Sequence, residues 1–174
     1  RIWSEELKSG SVELLLTLPL PLRTIVLAKF FAAWLFIGLA LLLTFPIWIT
    51  VNYLGSPDNG VIFAAYLGSW LLAGAFLSIG CCLSSTSKSQ VIAFVLTVTV
   101  CFLFVLLGLS QVLNALQGVV PQWCIDLVAQ LSLLAHFSAI SRGVLNVADL
   151  LYYGLFIACW LIANSIIIEK NKAE

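Results

Sequence analysis

From position 25 onward the chain alternates long apolar runs with short polar breaks. The runs cover 25–51, 61–83, 91–109 and 150–168. Each is near or above the ~20 residues that an α-helix needs to cross ~30 Å of hydrocarbon. The pattern therefore predicts four spanning helices. Lys29 lies near the start of the first run, where a long side chain reaches the headgroups. Pro46 lies near its end, where a missing N–H and the ring kink a helix. In the second run Gly74 and Ser78 are four apart, with Gly80 beyond, and small residues at that spacing let two helices approach closely. The break 52–60 is turn-rich and carries no cation, whereas 84–90 is short and polar and carries Lys88.

Two stretches depart from this alternation. Residues 1–23 are both charged and apolar. Ser4 and Ser11 read as helix N-caps, which puts Glu5, Glu6 and Glu13 in first turns, where carboxylates suit the positive end of the helix dipole. Gly10 divides the stretch into two short helices, and Pro19 and Pro21 end the second. Residues 110–149 are too long for an ordinary loop and too apolar for a solvated one. Within them Trp123, Leu127, Leu131 and Leu134 recur at spacings of three and four, which predicts a helix over 122–141. As a fifth span it would bury Asp126, Gln130 and His136, and a central Asp costs ~3 kcal/mol on insertion scales. It would also move Lys170 and Lys172 to the far side. The preferred reading is a pair of short helices, broken at Pro121, that enter the outer leaflet and return, which protein-covered backbone permits.

Composition agrees with a membrane protein. The chain has 174 residues, 62% hydrophobic and 9% charged, against about 25% charged in an average soluble domain. A formal charge of zero counts against nucleic acid, which needs a clustered basic surface. With four spans, Arg1, Lys8, Arg23, Lys29, Lys88, Lys170 and Lys172 share one side and Arg142 stands on the other. The positive-inside rule then places the head and the 169–174 tail in the cytosol. Methionine is absent, and a translated chain begins with Met, so a fragment lacking its upstream part is expected.

Candidate chemistry is sparse. Cys81, Cys82, Cys101, Cys124 and Cys159 form no C-x-x-C and no Cys/His cluster, and read as small buried apolar residues. Trp34, Trp48, Trp70 and Trp160 read as lipid-facing or as an interfacial belt. Thr97, Thr99, Asn164 and Ser165 lie inside spans, where such groups bond across helices or to their own backbone, or line a path. His136, the single histidine, has metal, base and proton-sensing readings. It has no Cys or carboxylate at a close helical spacing, which favours a structural hydrogen bond. Arg142 and Asp149 are seven apart, and an ion pair between them would fix the entry to the last span; Asp126 is an alternative partner for Arg142. No Gly-rich phosphate loop with Lys and Ser/Thr is present, so nucleotide binding falls to another chain. An intramembrane enzyme built on Ser110 or a cysteine with His136 and Asp126 is the competing class. No G-x-S-x-G elbow supports it. A non-transporting anchoring or assembly subunit is a third.

Two motifs carry a family resemblance. The head reads Ser4-Glu5-Glu6, then Gly10-Ser11-Val12-Glu13-Leu14-Leu15-Leu16-Thr17-Leu18-Pro19, then Ile25-Val26-Leu27-Ala28-Lys29-Phe30. The second reads Ser132-Leu133-Leu134-Ala135-His136-Phe137, then Arg142-Gly143-Val144-Leu145, then Asp149-Leu150-Leu151-Tyr152-Tyr153. Together they resemble a type-2 ATP-binding-cassette (ABC) permease, most similar to the gliding-motility-type and related small bacterial exporter permeases. Ser11 stands where Thr is usual and Leu145 where Ile is usual. The resemblance implies an all-α polytopic transmembrane bundle. It has a cytosolic coupling-helix segment at 1–23, three spans within 24–110, extracytoplasmic or re-entrant helices at 111–148, a last span at 149–168 and a cytosolic tail. Family members have six spans, so the resemblance implies that the first two are missing here. It further implies a permease subunit in the cell (inner) membrane that pairs with a second permease subunit and docks on a separate ABC ATPase, which holds the ATP and Mg. Glu5, Glu6, Gly10, Ser11, Glu13, Leu14 and Leu15 are the implied coupling residues. His136, Phe137, Arg142, Gly143 and Asp149 form the implied motif before the last span.

Overall fold

The computed structural model describes residues 21–87, 89–109, 112, 122–123 and 130–172. The head segment with Glu5, Glu6, Gly10, Ser11, Glu13, Leu14 and Leu15 lies outside the described residues, as do Lys88, Pro121 and Asp126. Six helices make up the described chain: α1 Leu22–Leu42, α2 Phe45–Leu54, α3 Asn59–Ser84, α4 Gln90–Leu107, α5 Leu133–Ser141 and α6 Val147–Lys172. Four stretches are long and apolar enough to cross a membrane: Arg23–Leu54, Asn59–Ser84, Gln90–Leu107 and Val147–Lys170. The protein is an all-helical, multi-pass membrane bundle.

The hub is α3, which packs against α1, α4, α5 and α6, while α6 also packs against α1. The reason is the row of small residues along it. Ala64, Gly68, Gly74, Ala75, Ser78, Cys81 and Cys82 are all buried, and small side chains let neighbouring backbones come close where lipid supplies no hydrophobic drive between helices. Phe30, Ile79, Leu133, Ile140 and Tyr153 fill the space around it. By contrast α4 buries Ala93 and shows Val91, Phe94, Phe102 and Leu103 outward, as hydrocarbon surroundings allow.

The first apolar run forms two helices, not one. Proline at position 46 cannot donate to Leu42 O, and its ring would clash there, so α1 stops at Leu42 and α2 begins at Phe45. Side chains add bonds at the break. Thr44 Oγ1 donates to Leu41 O at 2.6 Å, and Tyr66 Oη donates to Thr44 O at 3.1 Å. Asn59 Oδ1 then accepts from Trp48 Nε1 at 2.7 Å and from Asn52 Nδ2 at 3.0 Å, which ties α2 to the start of α3. Asp58 Oδ1 caps α3 by accepting from Gly60 N at 2.8 Å.

Trp34 and Trp70, each half-buried, pair with each other across α1 and α3. They stack on each other with ring centroids 4.2 Å apart and planes 10° apart. Trp34 Nε1 donates to Trp70 O at 3.0 Å, and Trp70 Nε1 donates to Trp34 O at 3.3 Å. Each indole lies over the glycine four residues beyond the other tryptophan. A Cβ on Gly74 would sit 2.7 Å from Trp34 Nε1, and one on Gly38 would sit 2.9 Å from Trp70 Nε1. Trp34-x-x-x-Gly38 and Trp70-x-x-x-Gly74 thus form a reciprocal clasp between two antiparallel helices. A buried indole N–H needs a partner, and here each helix supplies the other's.

The polar groups inside spans divide. Thr97, Thr99 and Ser165 donate back to Ala93 O, Val95 O and Leu161 O of their own helices. Asn164 is fully buried, yet neither Oδ1 nor Nδ2 has a partner among the described residues. Cys81 and Cys82 are buried, whereas Cys159 is exposed and so departs from the expected buried role.

Candidate functional site

The second motif closes into one cluster where α5 meets the start of α6. The helix expected over 122–141 is interrupted at residues 131–132. Ser132 is extended, with ψ 114°, and its Oγ accepts from Ala135 N at 3.1 Å, which caps α5. His136 follows one turn later. Its Nδ1 lies 2.6 Å from Asp149 Oδ1 and its Nε2 lies 3.0 Å from Gln130 O. The imidazole stacks on Tyr152, centroids 4.1 Å apart. Tyr152 Oη donates to Leu131 O at 2.6 Å, and Tyr153 Oη donates to Leu133 O at 2.7 Å. Two tyrosines of α6 therefore hold the backbone at Leu131 and Leu133, and His136 of α5 reaches Gln130.

Arg142 and Asp149 do not pair. Asp149 belongs to His136, and Arg142 Nε turns back to Ser138 O at 3.0 Å, a cation on the last carbonyls of α5. The physical reason is the turn between them. Gly143 has φ +85°, a left-handed conformation that ends the helix and that side chains resist. A Cβ there would also lie 3.0 Å from Val61 Cγ2. Phe137 lies on the α3 side of α5, beside Gly68, where a Cβ would sit 2.9 Å from Ile140 Cγ2 and 3.4 Å from Phe137 Cδ2. Asp149 is in the first turn of α6, where a carboxylate complements the helix dipole.

Proton inventory limits what the cluster does. Carboxylate and carbonyl oxygens only accept, and a neutral imidazole has one N–H. Two bonds therefore require an imidazolium beside ionised Asp149, or a neutral ring accepting from protonated Asp149. In either form both ring nitrogens are occupied, and none is left to activate a nucleophile or bind a metal. Among the described residues no group of three His, Cys, Asp or Glu side chains gathers to hold an ion. The arrangement ties the start of α6 to α5 and to the backbone ahead of it, as a latch would. His136, Phe137, Arg142, Gly143 and Asp149 all belong to it or to its support. Ser132, Tyr152 and Tyr153 stand in the motif but were not among the predicted site residues; two adjacent tyrosines at the start of an apolar run were the available signal.

The family model described as ABC-2 family transporter protein matches residues 1–166. No curated protein and no solved structure matches the chain. The match runs from the charged head through all four membrane-crossing stretches and nearly to the end of α6. This chain belongs to the ABC-2 transporter family, as a multi-pass membrane permease subunit.

Proposed function

We propose that this subunit works in an ATP-driven exporter of the cell inner membrane, coupled to a separate ABC ATPase that holds ATP and Mg, and paired with a second permease subunit. The observation that carries the reading is the family match, which includes the head as well as the spans. In this reading Glu5, Glu6, Gly10, Ser11, Glu13, Leu14 and Leu15 form the dock for the ATPase. The head and the 169–174 tail lie in the cytosol, and the His136 latch lies at the outer end.

The junction suits force transmission. Pro21 caps α1 in an extended conformation, with φ −64° and ψ 134°, and Thr24 N donates to Pro21 O at 2.9 Å. The helix thus starts directly after Pro21. The Trp34–Trp70 clasp then joins α1 to α3, which touches most of the bundle. Movement of the head shifts these helices as a body. The test is co-purification and reconstituted transport with Glu13→Lys. The expected result is normal insertion with loss of the bound ATPase and of transport-coupled ATP hydrolysis. Unchanged coupling in Glu13→Lys, or a chain that binds no ATPase in membranes, overturns the reading.

A further inference from the structure

An apolar groove of about 360 Å³ runs between α1 and α6. Val26, Phe30 and Trp34 form one wall, and Gly154, Ala158 and Leu161 form the other. We infer that this groove holds one acyl chain of an anionic phospholipid, whose phosphate is bound by Arg23 at its end. The inference needs only that α1 and α6 cross a bilayer, and stands apart from the ATPase reading.

Four observations support it. The groove runs from Arg23 to Trp34, which is ~16 Å along the helix at ~1.5 Å per residue. One leaflet of hydrocarbon is ~15 Å deep, so the groove is one leaflet long. Apart from Arg23 and Ser165, the groove is lined by apolar and aromatic residues, which suits a hydrocarbon chain. Gly154 opens the wall, since a Cβ there meets nothing within 4 Å. Finally, Arg23 is exposed and lacks a partner among the described residues, while the groove's other polar group, Ser165, donates back to Leu161 O and Ile162 O. Among the described residues, the one polar group at the groove without a partner is therefore a guanidinium, which suits a phosphate diester through two parallel N–H bonds.

The test uses the full-length protein in nanodiscs of phosphatidylcholine with phosphatidylglycerol, followed by detergent exchange and native mass spectrometry. The expected result is one retained phosphatidylglycerol per chain. Gly154→Phe should abolish retention, because the ring fills the groove. Arg23→Gln should keep a lipid but lose about fivefold of the preference for phosphatidylglycerol over phosphatidylcholine, the scale of one cation near an anionic surface. Equal retention in the wild type and Gly154→Phe overturns the proposal, as does an unchanged preference in Arg23→Gln. A Gly154→Cys variant that cross-links to another protein segment also overturns it, since protein then covers the groove. Arg23 is on the surface, so its variant decides the matter should Gly154→Phe fail to insert.

Discussion

His136 has a partner on each ring nitrogen, and that fact has a spectroscopic consequence. The chain has one histidine, so its ring nitrogens are a clean NMR probe. In the latched form the Nδ1–Asp149 bond, at 2.6 Å, should give a strongly deshielded proton resonance. Asp149→Asn should abolish that resonance; its survival would show that Asp149 is not the partner. Tyr153→Phe removes the hydroxyl bound to Leu133 O and should cost about 1 kcal/mol of stability, read from chemical denaturation in detergent. Asn164 predicts the opposite sign. A buried unsatisfied polar side chain costs about 1–3 kcal/mol, so Asn164→Leu should raise the thermal midpoint. A lower midpoint would show that Asn164 has a partner outside the described residues. The pairing of His136 with Asp149 was not legible from spacing. The two are thirteen apart, and the reversal at Gly143 that joins them depends on a positive φ that sequence pattern does not show. What sequence did supply was the residue set, because His136, Gly143 and Asp149 share one motif.

At the scale of helices, length and hydropathy sufficed to find the four spans, since hydrocarbon leaves a chain little choice but to satisfy its backbone within each helix. Pro46 announced a disruption, and the break falls at residues 43–44, just ahead of it. Pro46→Ala should fuse α1 and α2 into one helix and pull Thr44 O away from Tyr66; backbone amide exchange across 43–46 should slow, and unchanged fast exchange would count against a proline-driven break. The Trp34–Trp70 clasp was illegible for a different reason. A tryptophan in an apolar run reads as lipid-facing until the glycine four residues along the neighbouring helix is known to lie beneath it. Gly74→Ala tests the clasp. Its methyl would crowd Trp34 Nε1, and a change of that kind in a filled interface costs about 1–3 kcal/mol. Trp34 fluorescence should shift as the ring is displaced, and an unshifted spectrum would oppose the geometry.

For the molecule as a whole, the fold class and the family were both legible, the first from hydropathy and the second from two motifs at opposite ends of the chain. The head motif lies outside the described residues, so its chemistry enters only through the resemblance and the match over 1–166. Among the described residues the bundle has one hub, and that gives the clasp a mechanical meaning. Its two bonds are made in a single alignment of α1 and α3. Sliding one helix past the other by a turn, ~5.4 Å, would unseat both indoles at once and drive each ring off its glycine. A pull on the start of α1 that keeps both bonds should therefore tilt α1 and α3 together, as a bolted pair of rods tilts and never telescopes.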